Sequence, residues 1–326
     1  MLKEKVIEYL EENPDKLVTG GQMALKFDVS RTAIWKTINT LKNEGYKIES
    51  VRNSGYRLSE SSDTLSKTVI KNIATTDVIG QEIEIHKVLP STNTYVKNSF
   101  NINSFEGYTV IADGQSQGRG RHGKSFCSPE QNGIYMSILL KPNIDFDKVS
   151  MITICTAVAV CNGIEKSVNM PLDLGIKWVN DLFIGNKKLC GILTEASISM
   201  ETTDLEYVVV GIGVNTGEVD ETVRDIATSL YLETGTKGHR NKIIGEILNE
   251  FEKVYNDFIK GNTNIIIDEY NKRLFIKNRK VEITYGKEVL CAKVIEVSYK
   301  GHLIVEKETG DRLEISSGEI VRLINE

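Results

Sequence analysis

The first 60 residues constrain the fold most, because three short helical patterns are followed there by a glycine-centred alternating segment. Ser30 is a good N-cap for the third helix. Apolar residues of the three helices recur at helical spacing, at Val6, Ile7 and Leu10, at Met23, Ala24 and Phe27, and at Ile34, Ile38 and Leu41. This order predicts a winged helix-turn-helix over residues 1–62, with Asp28 in the left-handed conformation of its turn.

The positive charge of this segment favours binding to a polyanion. Seven bases and three acids between residues 26 and 57 give a local charge of +4, whereas the whole chain carries −5. A protein this acidic does not coat nucleic acid with its entire surface, so DNA contact is expected to be local. The alternative is a small helical protein-interaction domain. We predict DNA contacts from the third helix and the wing at Arg31, Thr32, Lys36, Thr37, Asn39, Arg52 and Arg57.

The remaining sequence predicts an α+β multidomain protein. Its length of 326 residues favours two or three domains. Residues 66–270 mix strand-like runs with helical ones, and several strands follow one another without an intervening helix, which favours an α+β sheet. The runs are strands at 82–88, 108–112, 134–140, 188–195 and 206–212, and helices at 93–100, 149–167 and 242–259. Residues 275–326 alternate around glycine turns, which predicts a small SH3-like β-barrel.

Several protein classes are excluded by composition. The longest nearly apolar stretch, residues 151–164, is shorter than the ~20 residues of a spanning helix. The acidic N-terminus lacks the apolar centre of a secretory signal, so we expect a cytoplasmic protein without membrane contact. Five cysteines without a C-x-x-C pair indicate neither a disulfide framework nor a zinc site, and we predict that all five are buried.

The densest chemical signal is GQSQGRGRHGKS at residues 114–125. It matches both the P-loop and the dinucleotide-binding glycine patterns, but each needs a helix directly afterwards. Here Pro129 and an Asn132-Gly133 turn lead into a strand instead. We therefore predict an anion-binding loop, ordered by its ligand, in which glycine amides and the charges of Arg119, Arg121 and Lys124 converge. The alternative is a flexible basic surface loop.

Two further segments add polar groups beside apolar strands. KWVND at residues 177–181 combines a cation, an indole, an amide and a carboxylate, and Lys188 opens an apolar strand. GIGVN at residues 211–215 lets a strand end approach a ligand closely. Separately, a surface hairpin and a buried strand explain these residues. Together, they indicate a site that activates a hydrophobic carboxylic acid.

These motifs closely resemble those of bacterial bifunctional biotin–protein ligases that also repress the biotin operon. The matching segments cover nearly the whole chain: STN at 91–93, GRGRHG at 118–123, KWVND at 177–181, KLCGIL at 188–193, GIGVN at 211–215 and ATSL at 227–230. The resemblance implies a central α+β ligase domain related to class II synthetases, preceded by the winged helix and followed by the barrel.

The resemblance also implies an activity. Biotin and ATP would give biotinyl-5′-AMP, and the biotinyl group would pass to a lysine of the biotin carboxyl carrier domain of acetyl-CoA or pyruvate carboxylase. Mg²⁺ would assist, and we assign no metal-ligating residues. The adenylate would act as co-repressor, with an adenylate-bound homodimer on operator DNA.

Roles carried over by motif divide the site into a biotin end and a nucleotide end. Lys188 would contact the biotin carboxylate or the phosphate formed from it, and Asn215 would lie on the nucleotide side. The biotin end would comprise Ser91, Thr92, Asn93 and Gln115 at the ureido head, with Gly191 and Leu193 near the ring. The nucleotide end would comprise Gly118, Arg119, Gly120 and Arg121 over the adenylate, with Lys177, Asn180 and Asp181 nearby and Arg322 as a candidate contact to ATP.

Two other functions are compatible with parts of the chain. A ligand-responsive repressor would use the large domain only as a sensor, but Arg119, Arg121 and Lys188 together favour an enzyme. A lipoate ligase would also activate an acyl carboxylate, but the winged helix combined with the GRGR sequence favours the biotin class.

Overall fold

The computed structural model describes residues 2–11, 13, 16–43, 46–52, 54–59, 63–101, 104–168, 170–199, 201, 204–236, 239–286 and 288–324. The N-terminal part contains helices α1 (Leu2–Glu11), α2 (Gly20–Lys26) and α3 (Arg31–Asn43), followed by strands β1 (Ile48–Val51) and β2 (Gly55–Leu58). The strands pair antiparallel and form the wing. The predicted domain boundary at residue 62 lies outside the described residues.

Local sequence explains this first unit. Thr19 caps α2 in a reciprocal arrangement with Gln22, and Asp28 adopts a φ of 53° in the turn before α3. A separate apolar core joins the three helices to β1. Ala24, at the fifth position of α2, is buried in that core. The predicted winged helix-turn-helix is confirmed.

The central part is built on a seven-stranded mixed sheet in the order β3-β4-β5-β9-β8-β7-β6. Its strands are β3 (Ile83–Leu89), β4 (Thr109–Gln115), β5 (Gly133–Leu140), β6 (Leu174–Lys177), β7 (Asp181–Ile184), β8 (Lys187–Ile198) and β9 (Leu205–Asn215). Only β3 and β4 run parallel among the adjacent pairs of this sheet. This arrangement confirms the predicted α+β class.

Helices accompany this sheet, and two of them form most of the buried layer. The helices are α4 (Lys67–Ile73), α5 (Thr92–Ser99), α6 (Val149–Ser167), α7 (Leu230–Thr234), α8 (Arg240–Ile259) and α9 (Thr263–Lys272). The segment Phe146–Ser167 has the length and apolar composition of a membrane-spanning helix, yet 72% of its apolar window is buried inside the protein. It is a core helix that packs against α8.

The C-terminal part is a five-stranded antiparallel sheet in the order β13-β12-β11-β10-β14. Its strands are β10 (Lys280–Tyr285), β11 (Glu288–Val297), β12 (Leu303–Glu306), β13 (Arg312–Ile315) and β14 (Glu319–Leu323). The predicted alternation is confirmed at the level of these strands. Buried residues such as Ile283 and Val305 belong to the same apolar cluster as the central sheet, so the two parts share one core.

A buried arginine attaches the segment after the wing to the central part. Arg240 at the start of α8 is 1% exposed and donates from Nε to Asp63 Oδ2 over 2.8 Å. Its Nη1 donates to Asp113 Oδ1 over 2.7 Å. Asp63 also accepts from the Arg240 backbone amide. A buried guanidinium needs both an opposite charge and hydrogen-bond partners. These contacts therefore hold Asp63, which follows the wing in sequence, against the central part.

The prediction that all five cysteines are buried is wrong for two of them. Cys127 and Cys291 are exposed, whereas Cys155, Cys161 and Cys190 are buried. Cys291 lies on the outer face of β11, because the alternation of that strand buries its neighbour Ala292 instead. Cys127 follows the glycine–arginine loop in an irregular segment.

Candidate functional site

A cavity of about 500 Å³ lies at one face of the central sheet. Strands β8 and β9 form its floor, and the start of α5, the glycine–arginine loop, the β6–β7 hairpin and β14 surround it. Thirteen sequence-predicted residues line it: Ser91, Thr92, Asn93, Gln115, Arg119, Gly120, Arg121, Lys177, Asn180, Asp181, Lys188, Gly191 and Leu193. Segments more than 100 residues apart in the sequence are thus brought to one site.

The first polar group of the cavity surrounds the start of α5. Ser91 is the N-cap of this helix. The Thr92 backbone N–H donates to Gln115 Oε1 over 2.8 Å, and Gln115 Nε2 donates to Ser128 Oγ over 3.0 Å. The Ser137 hydroxyl lies 2.7 Å from Thr92 Oγ1. This network holds hydroxyl and amide groups in fixed positions beside the sheet.

Asn93 lines the cavity and also joins α5 to β8. Its Nδ2 donates to the Leu193 carbonyl over 3.2 Å and to Glu195 Oε2 over 2.8 Å. Its Oδ1 lies 2.6 Å from Ser137 Oγ. Burial acts to raise the pKa of Glu195, but hydrogen bonds from Lys97 and Asn93 hold that pKa below its usual value. These contacts fix the position of the Asn93 amide at the edge of the cavity.

The glycine–arginine loop adopts a defined conformation. Arg119 and Ser125 form an antiparallel bridge, and residues Arg121–Gly123 make one 3₁₀ turn. No α-helix follows before the strand at Gly133, as predicted, so neither a P-loop nor a dinucleotide-binding turn is formed. Arg121 extends from this turn into the cavity.

Arg121 bonds to two other parts of the molecule. Its Nη1 donates to Asn180 Oδ1 over 3.0 Å, and its Nη2 donates to the Gly318 carbonyl over 3.3 Å. Asn180 is itself held by the Ile192 carbonyl, which accepts from its Nδ2 over 2.9 Å. One guanidinium therefore connects the loop, the β6–β7 hairpin and the C-terminal sheet.

The C-terminal sheet contributes directly to the cavity, through residues that the sequence analysis did not name. Lys124 forms an ion pair with Glu319 at the start of β14, and Glu319, Ile320 and Val321 line the cavity. The hydrogen bond from Lys124 holds the pKa of Glu319 below its usual value. No local pattern signals a contact between residues 195 positions apart.

Two lysines supply positive charge at the opposite wall. Lys188 Nζ lies 2.7 Å from Asp181 Oδ1, and neither side chain is fully exposed. Burial lowers the pKa of Lys177, an effect that Asp181 opposes and Lys188 reinforces. The predicted hairpin is confirmed, since Lys177 pairs with Asp181 across β6 and β7. Two cations and one carboxylate thus line the same cavity as Arg121.

Two glycines in the floor of the cavity leave room for the ring of Phe126. A Cβ atom on Gly213 would lie 2.6 Å from Phe126 Cε1, and one on Gly191 would lie 3.1 Å from Phe126 Cε2. Such a distance to Gly213 is not tolerated, so that position must lack a side chain for the ring to lie over the strand. Phe126 was not predicted as a site residue, although its position directly after the loop was the available signal.

Three predicted residues lie outside the cavity lining. Gly118 has no room for a Cβ atom because the Phe126 carbonyl faces it. Asn215 Nδ2 donates to the Thr228 carbonyl over 3.0 Å and so anchors the loop beside Lys188. Arg322 is 71% exposed and pairs with Glu282 over 2.8 Å. These residues are structural or peripheral in this conformation.

The predicted DNA-contact residues are mostly accessible. Arg31, Thr32, Lys36 and Arg52 are exposed, and Thr37 and Asn39 are partly buried. The Arg57 guanidinium is partly exposed and lies 2.7 Å from Glu49 Oε2 across the wing. Trp35 on α3 is exposed but was not among the predicted contacts.

Comparison with known proteins agrees with both parts of this arrangement. Residues 85–215 match the biotin/lipoate A/B protein ligase family, and residues 3–57 match an HTH domain. The Bacillus subtilis bifunctional ligase/repressor BirA is 38% identical over 262 residues, covering 79% of each chain. The Escherichia coli bifunctional ligase/repressor BirA is 25% identical over 293 residues, covering 89% of this chain and 88% of the relative.

A solved structure also superposes on most of this chain. The biotin protein ligase from Aquifex aeolicus in complex with biotin and ATP has a TM-score of 0.65 and 26% identity. The match covers 76% of this chain and all of the other. The matched domain, the near-full-length relatives and the geometry of the cavity agree, and the chain belongs to the biotin/lipoate A/B protein ligase family.

Proposed function

We propose that this protein is an ATP-dependent biotin–protein ligase that also represses transcription. The single observation that carries the proposal is the position of Arg121, which joins the glycine–arginine loop to the KWVND hairpin above a cavity with two lysines. The relatives named as bifunctional ligase/repressor support both activities. The central domain is related to class II synthetases, and the C-terminal strands form an SH3-like barrel.

The first reaction joins a carboxylate to the α-phosphate of ATP. A biotin carboxylate oxygen attacks the α-phosphorus, the bond to the bridging oxygen breaks, and pyrophosphate leaves with that electron pair. Carboxylate and triphosphate repel each other, so fixed cations at the point of attack stabilise the transition state. Lys188 and Arg121 supply this charge, Lys177 adds to it, and Arg119 closes over the product.

The polar head of biotin binds at the start of α5. Ser91, Thr92 and Gln115 offer hydroxyl and amide groups there, while Asn93 holds the helix in register. Gly191 and Leu193 on β8 provide the apolar wall against the ring. This division separates recognition of the head from activation of the carboxylate.

Mg²⁺ enters with the nucleotide. Within the described residues no group of three or more His, Cys, Asp and Glu side chains is placed to hold a metal ion. The acidic residues of the cavity lining, Asp181 and Glu319, are both paired with lysines. Magnesium usually binds through substrate phosphates. Bound to the phosphates of ATP, the ion would offset part of their negative charge.

The second reaction transfers the biotinyl group. The amine of an acceptor lysine, on the biotin carboxyl carrier domain of acetyl-CoA or pyruvate carboxylase, attacks the adenylate carbonyl. A C–N bond forms, AMP leaves, and the amine loses a proton. The protein acts in the cytoplasm, where these carboxylases are found.

The winged helix gives the adenylate-bound protein a second activity. A homodimer presents two third helices to two half-sites of an operator, as helix-turn-helix dimers do. The adenylate is then both reaction intermediate and co-repressor. Repression is thereby linked to the supply of biotin.

Mass spectrometry of the purified protein tests the ligase proposal. Protein mixed with ATP, Mg²⁺ and biotin should retain biotinyl-5′-AMP after gel filtration, and pyrophosphate should appear in equal amount. Lipoate in place of biotin is the matched control and should give little adenylate. Retention of lipoyl-AMP instead would support the lipoate alternative, and no adenylate from either acid would overturn the proposal.

A further inference from the structure

The outer face of α3 carries an aromatic side chain that the proposed site does not use. Ile34, Ile38 and Leu41 face the core of the winged helix. The exposed stripe opposite them contains Arg31, Thr32, Trp35, Lys36 and Thr40. Trp35 is 55% exposed, whereas Trp178, the other tryptophan of the chain, is 4% exposed. The indole of Trp35 therefore lies on the same exposed face as Arg31 and Lys36.

The charge around Trp35 indicates which kind of partner binds this surface. Helix α3 contains no acidic residue along Arg31–Asn43 but includes Arg31, Lys36 and Lys42. Arg52 on the wing is exposed as well. An exposed face that carries basic residues and no acidic one fits a phosphate backbone, so the partner is duplex DNA rather than a second protein surface.

The indole is suited to reading bases rather than phosphates. It carries no charge, so it adds little to the sequence-independent attraction that phosphates provide. It offers an apolar ring, and the thymine C5-methyl is the apolar group of the major groove. Trp35 is the fifth residue of α3, in the N-terminal half from which recognition helices contact base edges.

We infer that Trp35 is a specificity-determining residue that packs its indole against a thymine methyl group in each operator half-site. The inference rests on the proposed operator binding and adds the chemical group that is recognised. Arg31 and Lys36 hold the phosphates on either side, and the uncharged ring between them distinguishes sequences.

Thymine-to-deoxyuridine replacement tests this contact, because it removes one methyl group and leaves base pairing intact. The adenylate-loaded wild-type protein first selects its site from a pool of randomised duplexes. Each thymine of the selected site is then replaced in both half-sites, and affinity is measured at one fixed salt concentration. Loss of one methyl contact should weaken binding about fourfold per half-site, from about 0.8 kcal/mol per buried methylene.

Three variants make the test specific. Trp35→Ala should bind the unmodified operator more weakly and lose its sensitivity to the critical thymine, while Trp35→Phe should keep part of both. Leu25→Ala is the control, since Leu25 is an exposed apolar residue, 87% exposed, on the neighbouring helix α2, and it should retain full sensitivity. Each variant should keep the wild-type circular dichroism spectrum and unfolding temperature, which would show that its winged helix is folded.

The possible outcomes distinguish failure of the Trp35 inference from failure of the proposed operator binding. A wild-type protein that selects a sequence but responds to no thymine replacement would overturn the role of Trp35, as would a Trp35→Ala variant with unchanged thymine sensitivity. Failure of the wild-type protein to select any sequence would overturn operator binding itself, and the inference with it.

Discussion

Arg121 Nη1 donates to Asn180 Oδ1 over 3.0 Å, which joins the glycine–arginine loop to the β6–β7 hairpin. The same guanidinium donates to the Gly318 carbonyl before β14. A loop that is tied at two points is already positioned over the cavity.

Arg121→Ala should leave the fold intact but release the adenylate faster. The side chain lies in the loop and not in the apolar core, and a hydrogen bond to a charged group contributes about 1.5–3 kcal/mol. Adenylate dissociation should accelerate roughly 10- to 100-fold, measured by stopped flow. Arg312→Ala is the matched control, because Arg312 is an exposed arginine that pairs with Glu306 outside the cavity. Equal dissociation rates for Arg121→Ala and wild type would contradict this role.

Lys188→Ala should slow adenylate formation on the order of 100-fold, the size seen when one electrostatic stabiliser is removed. Lys188 lines the cavity beside Asp181. Lys187→Ala provides the control, since Lys187 is the preceding residue on β8 and does not line the cavity. Pyrophosphate release by Lys188→Ala at the rate of the control would indicate a surface lysine without a role in activation.

The local features of this fold were predictable from the sequence. Ser30, Asp28 and the spacing of Ile34, Ile38 and Leu41 each specify structure within a few residues, so the winged helix followed directly. The motifs also identified most of the cavity lining. These signals depend on near neighbours along the chain.

Long-range contacts were not predictable from the same signals. The position of the Asn93 amide depends on Leu193 and Glu195, about 100 residues away. The contribution of Glu319 depends on how the C-terminal sheet packs onto the central one. Side-chain roles at a site follow from such contacts, which a single sequence does not encode in any short pattern.

The Lys124–Glu319 ion pair should restrain the glycine–arginine loop. Glu319→Gln and Lys124→Met should each increase amide hydrogen exchange over residues 118–126. The double variant should show little further increase, because each single variant already removes the same ion pair. The pKa of Glu319 is lowered by Lys124. The contact is therefore complete above the ordinary glutamate pKa and is lost as pH falls through the lower folded-state value.

A pH series checks the sign of that effect. The difference in exchange between wild type and Glu319→Gln, corrected for intrinsic rates, should stay constant from neutral pH down to the ordinary glutamate pKa and then vanish. A difference that grows on acidification, or full additivity in the double variant, would show that the two residues act independently.

Asp63→Ala should destabilise the protein by about 1–3 kcal/mol, because it leaves donors of the buried Arg240 without partners. The free energy of unfolding in urea provides the measurement. Asp77→Ala serves as control, since Asp77 is an exposed carboxylate elsewhere on the central part. Equal stability of the two variants would mean that Asp113 alone satisfies Arg240.

Operator affinity at one fixed salt concentration, with and without biotin plus ATP, tests the central claim most directly. Because linkage requires the adenylate to prefer the DNA-binding dimer, affinity should rise only when both substrates are present. A variant lacking residues 1–62 should bind no operator yet form some adenylate, since every proposed ligand contact lies beyond residue 90. Equal affinity with and without the substrates would contradict the claim that one chain couples biotin activation to repression.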